Sequence, residues 1–329
     1  MIKDTSRKKK VHRATDFQQN DGNRVVVVGT GSVGASAAFA LMVEGAASEI
    51  VLIDANKDKC EGEALDLEHG LSFVSEVKIW AGTYEDCKEA RVVVICAGLA
   101  QKPGQTRLDL ASENAKIVAD VAKNVRKFTD RAVLLVVTNP LDIMTYVAMK
   151  ASGLPSSQVF GTGTTLDSSR FRHLLAEEFD LATESVGAYL IGEHGDSQVP
   201  VYSHCNVMGE PLASLPQYTQ EKVEKAYLAT KNAAANVIAK KGYTSYAIAL
   251  AVARVVRAIL YDENHAFPVS VYLSGEYGLK DIYISIPAIV GSTGIKRILD
   301  INLSLDERKK LHDSASTIRE TIESIEAAS

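Results

Sequence analysis

Short unbroken apolar runs alternate with longer amphipathic stretches through the first half of the chain. The runs at residues 24–28, 50–54, 77–80, 92–96 and 132–137 are rich in Val and Ile. Continuous apolar segments of that length predict strands covered on both faces. Between them, residues 32–44, 57–71, 108–128 and 141–151 are patterned as helices. Strand and helix in repetition predict parallel strands joined by crossover helices, a doubly wound α/β sheet.

The pattern changes past residue 162. A helix is predicted after Thr165, then a strand-like run over 186–191, then long helices over 220–241 and 245–260 separated at Gly242. Residues 268–290 are β-rich with breaks at Gly275 and Gly278, which predicts an antiparallel hairpin or meander. The chain ends in an amphipathic helix with Leu311, Ala315, Ile318, Ile322 and Ile325 on one stripe. Ser304 and Glu307 have the spacing of a capping box at its start. We therefore divide the chain into residues 1–23, a Rossmann-type unit over 24–162, and a mixed α+β unit over 163–329. The polar first segment, with Lys8, Lys9 and Lys10, is either a tail or an arm that packs on a neighbouring subunit.

Composition narrows the classes. With 329 residues, 46% hydrophobic and 23% charged, the chain is neither disordered nor disulfide-stapled. A net charge of -5 argues against nucleic acid as a partner. No apolar run approaches the roughly 20 residues of a membrane span. Cys60, Cys87, Cys96 and Cys205 form no CxxC pair and no zinc spacing, so no metal is expected. Free thiols and the lack of a secretory h-region predict a cytoplasmic protein.

The first strand runs straight into Gly29-Thr30-Gly31-Ser32-Val33-Gly34, and a helix follows. This is GxGxxG in a dinucleotide-binding context. Gly29 permits the tight turn, Gly31 lets the backbone approach a pyrophosphate, and Gly34 lets the helix pack on the strand. The helix N-terminus then favours phosphate. Asp54, 20 residues after Gly34, can accept from both ribose hydroxyls and would repel a 2′-phosphate. The cofactor predicted is NAD.

Hydride chemistry on a carbonyl needs a proton donor, and His is best poised for it. His194 follows a strand-like run in Gly192-Glu193-His194-Gly195-Asp196-Ser197. Asp167 and Arg170 sit three apart on a predicted helix and share a face. There a carboxylate could orient a His and a guanidinium could grip a substrate carboxylate. The loop from Gly98 to Arg107 and the Thr138-Asn139-Pro140 turn both leave strands at the sheet's carboxyl edge, where such folds bind ligands. Taken singly, these features also fit a loop histidine, a surface ion pair and a connecting loop. A serine hydrolase is disfavoured, because no GxSxG elbow is present. A non-catalytic NAD-sensing or scaffold protein on the same fold would be expected to have lost part of this set.

In order, GxGxxG, QKPGxTR, TNP, LDSxR and GEHGDS resemble the NAD-dependent lactate/malate dehydrogenase family, over residues 24–326. The resemblance implies reversible reduction of pyruvate to L-lactate by NADH, in a homotetramer. It makes His194 the proton donor and acceptor, and pairs Asp167 with it. It has Arg107 polarise the carbonyl, Arg170 hold the substrate carboxylate, Asn139 contact both ligands and Thr244 line the substrate pocket. Gly29, Gly31, Val33, Gly34, Asp54, Lys59, Tyr84, Gly98 and Thr162 would surround NAD. Gln101 stands where related malate dehydrogenases place Arg, which favours pyruvate over oxaloacetate; a malate or broader 2-hydroxyacid dehydrogenase is the alternative. Three departures stand out. Gln105 replaces the usual Glu, which predicts leakier rejection of oxaloacetate. Gly187 replaces a His that accompanies Arg172 in relatives activated by fructose 1,6-bisphosphate, which predicts weak or absent activation. The N-terminal segment is longer than in many bacterial relatives, which makes the arm more credible.

Overall fold

A computed structural model describes residues 22–99 and 107–327. The first half follows the alternation: β1 (Arg24–Val28), α1 (Ser32–Glu44), β2 (Glu49–Ile53), α2 (Lys57–His69), β3 (Lys78–Ala81), β4 (Ala90–Ile95), α3 (Arg107–Arg126), β5 (Val133–Val136), α4 (Leu141–Ser152) and β6 (Val159–Gly161). Next come α5 (Thr165–Phe179), the two-residue strands β7 (Val186–Gly187), β8 (Leu190–Ile191), β9 (Val199–Pro200), β10 (Asn206–Val207) and β11 (Glu210–Pro211), then α6 (Gln220–Lys241) and α7 (Tyr246–Leu260). Strands β12 (His265–Ser274), β13 (Lys280–Gly291) and β14 (Gly294–Ile298) precede α8 (Leu305–Ala327).

The main sheet has the order β14-β13-β12-β6-β5-β4-β1-β2-β3. Strands β1 to β6 are parallel, and the central residues of all but the edge strand β3 are fully buried, as their apolar sequences require. Register decides where the chemistry emerges. Val28 lies beside both Ile53 and Ile95, Ile95 lies beside Val136, and Val136 lies beside Gly161. Gly29, Asp54, Cys96 and Thr162 therefore leave the sheet along one carboxyl edge, with the Thr138–Asn139 turn beside them. The strand order reverses between β1 and β4, which opens the crevice used by ligands in this architecture.

The antiparallel hairpin expected over 268–290 is present as β12–β13, and β12 also pairs with β6 through Ser270 and Gly161, so the hairpin extends the main sheet. The joint, β6, is a three-residue strand too short to announce itself in the sequence. The run over 186–191 is not one strand. Val186, Ala188 and Leu190 face a small core under α5 and α6, whereas Ile191 joins the main core. Serving two cores splits the run into β7, paired with β10, and β8, paired with β9. The terminal helix matches expectation. Ser304 and Glu307 cap each other reciprocally at 2.8 and 3.2 Å, and Leu311, Ala315, Ile318 and Ile325 are buried.

Candidate active site

The glycine-rich turn is shaped as its sequence demands. Gly29 has φ +97°, and a Cβ there would lie 2.5 Å from the Ala97 nitrogen at the end of β4. A Cβ on Gly34 would lie 1.8 Å from the Gly29 carbonyl oxygen, so α1 seats directly on the turn. A Cβ on Gly31 would meet nothing within 4 Å, which leaves that backbone open to a ligand. A cleft of 710 Å³ runs from Gly29 and Gly31 past Asp54 to Tyr84 and Gly98.

Asp54 is held in place before any ligand arrives. Its Oδ2 accepts from the Thr30 N–H at 2.6 Å and hydroxyl at 3.1 Å, and its Oδ1 accepts from the Asn56 N–H at 2.9 Å. Burial pushes this carboxyl up, but those donors and the Lys59 charge outweigh it and the net shift is down. The Gly31 opening, the fixed carboxylate and the cleft between them fit a dinucleotide. Lys59 and Tyr84 also line the cleft, and burial pushes the Tyr84 phenol up to about 12. Val33, Gly34, Asn139 and Thr162 are not among the lining residues: Gly34 is spent on helix packing, and Thr162 is buried with its N–H bonded to Val136. The sequence reading missed the α3 contribution, where Lys116, Ile117, Asp120 and Val121 form one wall. Their i, i+1, i+4, i+5 spacing was the available signal.

At the same sheet edge stand three groups, two from α5 and one from the loop after β8. The His194 Nδ1 lies 2.6 Å from Asp167 Oδ2, and Arg170 Nη1 donates to Asp167 Oδ1 at 3.0 Å. Asp167 and Arg170 are 7% and 15% exposed at their side chains and His194 is 24% exposed, so this is no surface ion pair. With Nδ1–H on Asp167, Nε2 faces away from the carboxylate. Burial pushes the imidazole down, but the Asp167 charge and hydrogen bond, with the Asp142 charge, outweigh it and raise its proton affinity. Burial pushes the Asp167 carboxyl up, but His194 and Arg170 hold it below the usual carboxylate range.

The His194 loop is pinned on every side. Gly192 exchanges backbone hydrogen bonds with Ser285 of β13, at 2.9 and 3.0 Å. The Glu193 N–H donates to the Ser314 hydroxyl of α8 at 2.8 Å, and the His194 N–H donates to Asp142 Oδ2 at 2.8 Å. Asp142 was not singled out from the sequence; its place two residues after the Asn139-Pro140 turn, in the first turn of α4, was the one sign. Asn139 is exposed, and its carbonyl accepts from the buried Asn114 of α3, which also holds Leu99.

Thr244 is half-buried in the link between α6 and α7, with no hydrogen bond to the His194 group among the described residues. Gln101 and Gln105 lie outside the described residues, and Arg107 is placed by its backbone alone, as the first residue of α3. Most of the N-terminal segment, residues 1–21, also lies outside them. Gly187 is packed against Asn206, whose amide nitrogen would lie 2.5 Å from an added Cβ, and Arg172 is half-buried on α5. No helix among the described residues is long and apolar enough to cross a membrane.

Residues 23–161 match the model of the lactate/malate dehydrogenase NAD-binding domain, and residues 164–329 match that of the family's alpha/beta C-terminal domain. The chain belongs to the lactate/malate dehydrogenase family. Within that family it is 47% identical over 305 residues to L-lactate dehydrogenase 1 of Bacillus cereus, covering 91% of this chain and 97% of the relative. It is also 47% identical over 311 residues to an L-lactate dehydrogenase of Bacillus caldolyticus, covering 93% and 98%. The crystal structure of a ligand-bound minor L-lactate dehydrogenase from Enterococcus mundtii superposes with a TM-score of 0.90 at 42% identity, covering 92% and 98%. The chain is thus an NAD-dependent oxidoreductase of this family.

Proposed function

We propose that the chain catalyses the reversible reduction of pyruvate to L-lactate, with His194 as proton donor and acceptor. The observation that carries this reading is the double use of Asp167, which ties the proton donor and a guanidinium together at 2.6 and 3.0 Å. Arg170 spends one nitrogen on Asp167; its remaining N–H groups suit a substrate carboxylate. That anchor sets a 2-keto acid's carbonyl toward the His194 Nε2. Bound NADH supplies the hydride to the carbonyl carbon. His194 delivers its proton to the carbonyl oxygen as negative charge develops there, and Asp167 stabilises the imidazolium before the transfer. In lactate oxidation the neutral imidazole takes the hydroxyl proton.

Gln101 and Arg107 complete the site in this reading. Arg107 polarises the carbonyl. Gln101, being neutral, leaves a second carboxylate without a partner in a desolvated cleft, and this disfavours oxaloacetate. The division at about residue 162 separates a cofactor unit from a unit that carries the acid–base groups. The protein works in the cytoplasm as an assembly of identical subunits.

The test is an NADH absorbance assay with pyruvate and oxaloacetate in parallel. We expect kcat/KM for pyruvate to exceed that for oxaloacetate by about tenfold or more, since an unpaired desolvated charge costs at least 1.4 kcal/mol. Oxaloacetate as the better substrate would make the chain a malate or broader 2-hydroxyacid dehydrogenase, and indifference to both would end the reading.

A further inference from the structure

The carboxylate behind the proton donor, Asp142, has been given no role in the proposed reaction beyond its charge near His194. Asp142 is 2% exposed, and both its oxygens are used. Oδ2 accepts the His194 N–H at 2.8 Å, and Oδ1 accepts the Ser270 hydroxyl of β12 at 2.6 Å. It stands in the first turn of α4, where the helix dipole favours a negative charge. An acid is an expensive way to hold an amide N–H and a hydroxyl in a dry interior, since a neutral amide side chain could pair with both.

We propose, resting on the reading above, that Asp142 is a positioning residue for the proton donor: it fixes the His194 main chain while Asp167 fixes the ring. Its second effect is electrostatic. Among the described residues, the charged groups acting on His194 are Asp167 and Arg170 from α5 and Asp142 from α4. Among the described residues, those acting on Asp142 are His194 and Glu193, both from the loop after β8, while β12 contributes the uncharged Ser270. An ionised Asp142 therefore adds to Asp167 in favouring the imidazolium. Burial raises its own carboxyl to about 6, against the opposing pull of Ser270 and His194. Above that pH it is charged and supports the proton on His194; below it the support fades.

Asp142→Asn keeps the shape and removes the charge. Two readouts apply: the pH at which pyruvate reduction falls off on the alkaline side, and the NMR titration of the His194 ring in the full chain. Both should move down by about half a pH unit, a fraction of the 1–3 units that a directly paired charge gives. Asp142→Ala, which also removes the acceptor, should cut kcat about 10–100-fold, as misplacing a reacting group does, while NADH affinity stays within about twofold. Ser270→Ala, which removes one donor to Asp142 and raises its carboxyl, should shift the His194 titration in the same direction by less; it carries the test if the Asp142 variants do not fold. A lower kcat with an unmoved His194 titration would reduce Asp142 to a support of the fold and overturn the proposal, as would parental behaviour of Asp142→Asn. The NMR readout needs no turnover. A protein inert toward pyruvate whose His194 titration still moves would sink the proposed reaction and leave this inference standing.

Discussion

The single side chain on which the most depends is Asp167. It is buried, it accepts from His194 and Arg170, and those two partners hold its carboxyl ionised against the cost of burial. Replacing it with Asn removes the charge that raises the His194 proton affinity and leaves an amide that can donate to the wrong ring tautomer. Asp167→Asn should lower kcat/KM for pyruvate by about 10²–10⁴-fold, the range general acid–base groups contribute. The sign with pH follows from the raised imidazole. Pyruvate reduction needs protonated His194, so it is sustained at low pH and lost as pH rises through the His194 pKa; lactate oxidation runs the other way. In Asp167→Asn both limbs should move to lower pH. A pH–rate series in both directions checks this, and limbs that stay in place would remove Asp167 from the proton transfer.

At the scale of elements, the glycine turn offers a clean separation of folding from binding. In Gly34→Ala the new methyl would stand 1.8 Å from a backbone oxygen, so α1 must lift from β1, at a cost of about 1–3 kcal/mol of overpacking. In Gly31→Ala the methyl would meet nothing within 4 Å of protein and would occupy only ligand space. The first variant should melt several degrees lower, and the second should melt like the parent yet lose about tenfold or more in NADH affinity, the equivalent of about 1.4 kcal/mol. Melting curves with NADH fluorescence titration decide it; parental affinity in Gly31→Ala would place the pyrophosphate elsewhere. These elements were legible in sequence because each local signal was self-sufficient: five short apolar strand runs, the GxGxxG turn, and the Ser304–Glu307 cap. What stayed hidden depends on partners far along the chain. The strand β6 exists because β5 and β12 flank it, the split at 186–191 arises from two cores, and Asp142 is buried among polar groups 52 and 128 residues away. The meeting of His194 with Asp167 was legible only through family resemblance, since no local pattern spans 27 residues.

For the molecule as a whole, one sheet, of nine strands among the described residues, carries both the cleft edge and the hairpin to which the His194 loop is bonded. A continuous backbone ladder thereby links the glycine-turn cleft to the His194 loop. The opposite problem lies on the outside. Phe39 and Val43 of α1, with Tyr246 and Leu250 of α7, are 55%, 58%, 69% and 67% exposed and line one groove of 690 Å³. A contiguous apolar groove of this kind is costly to leave in water, and in the assembly proposed above it is where a second subunit would pack. The groove's charged lining consists of the acids Glu44, Glu63 and Asp66 and the base Arg254. We expect the double substitution Val43→Glu with Leu250→Glu to reduce the mass measured by light scattering by half or more, while each subunit keeps its melting transition in the absence of substrate. Removing residues 1–20 in the parent asks the separate question of the N-terminus: an arm on a neighbour lowers the mass, and a tail leaves it unchanged. A parent that already runs as a monomer, or a double variant with unaltered mass, would mean that this groove is covered by something other than a second copy of the chain.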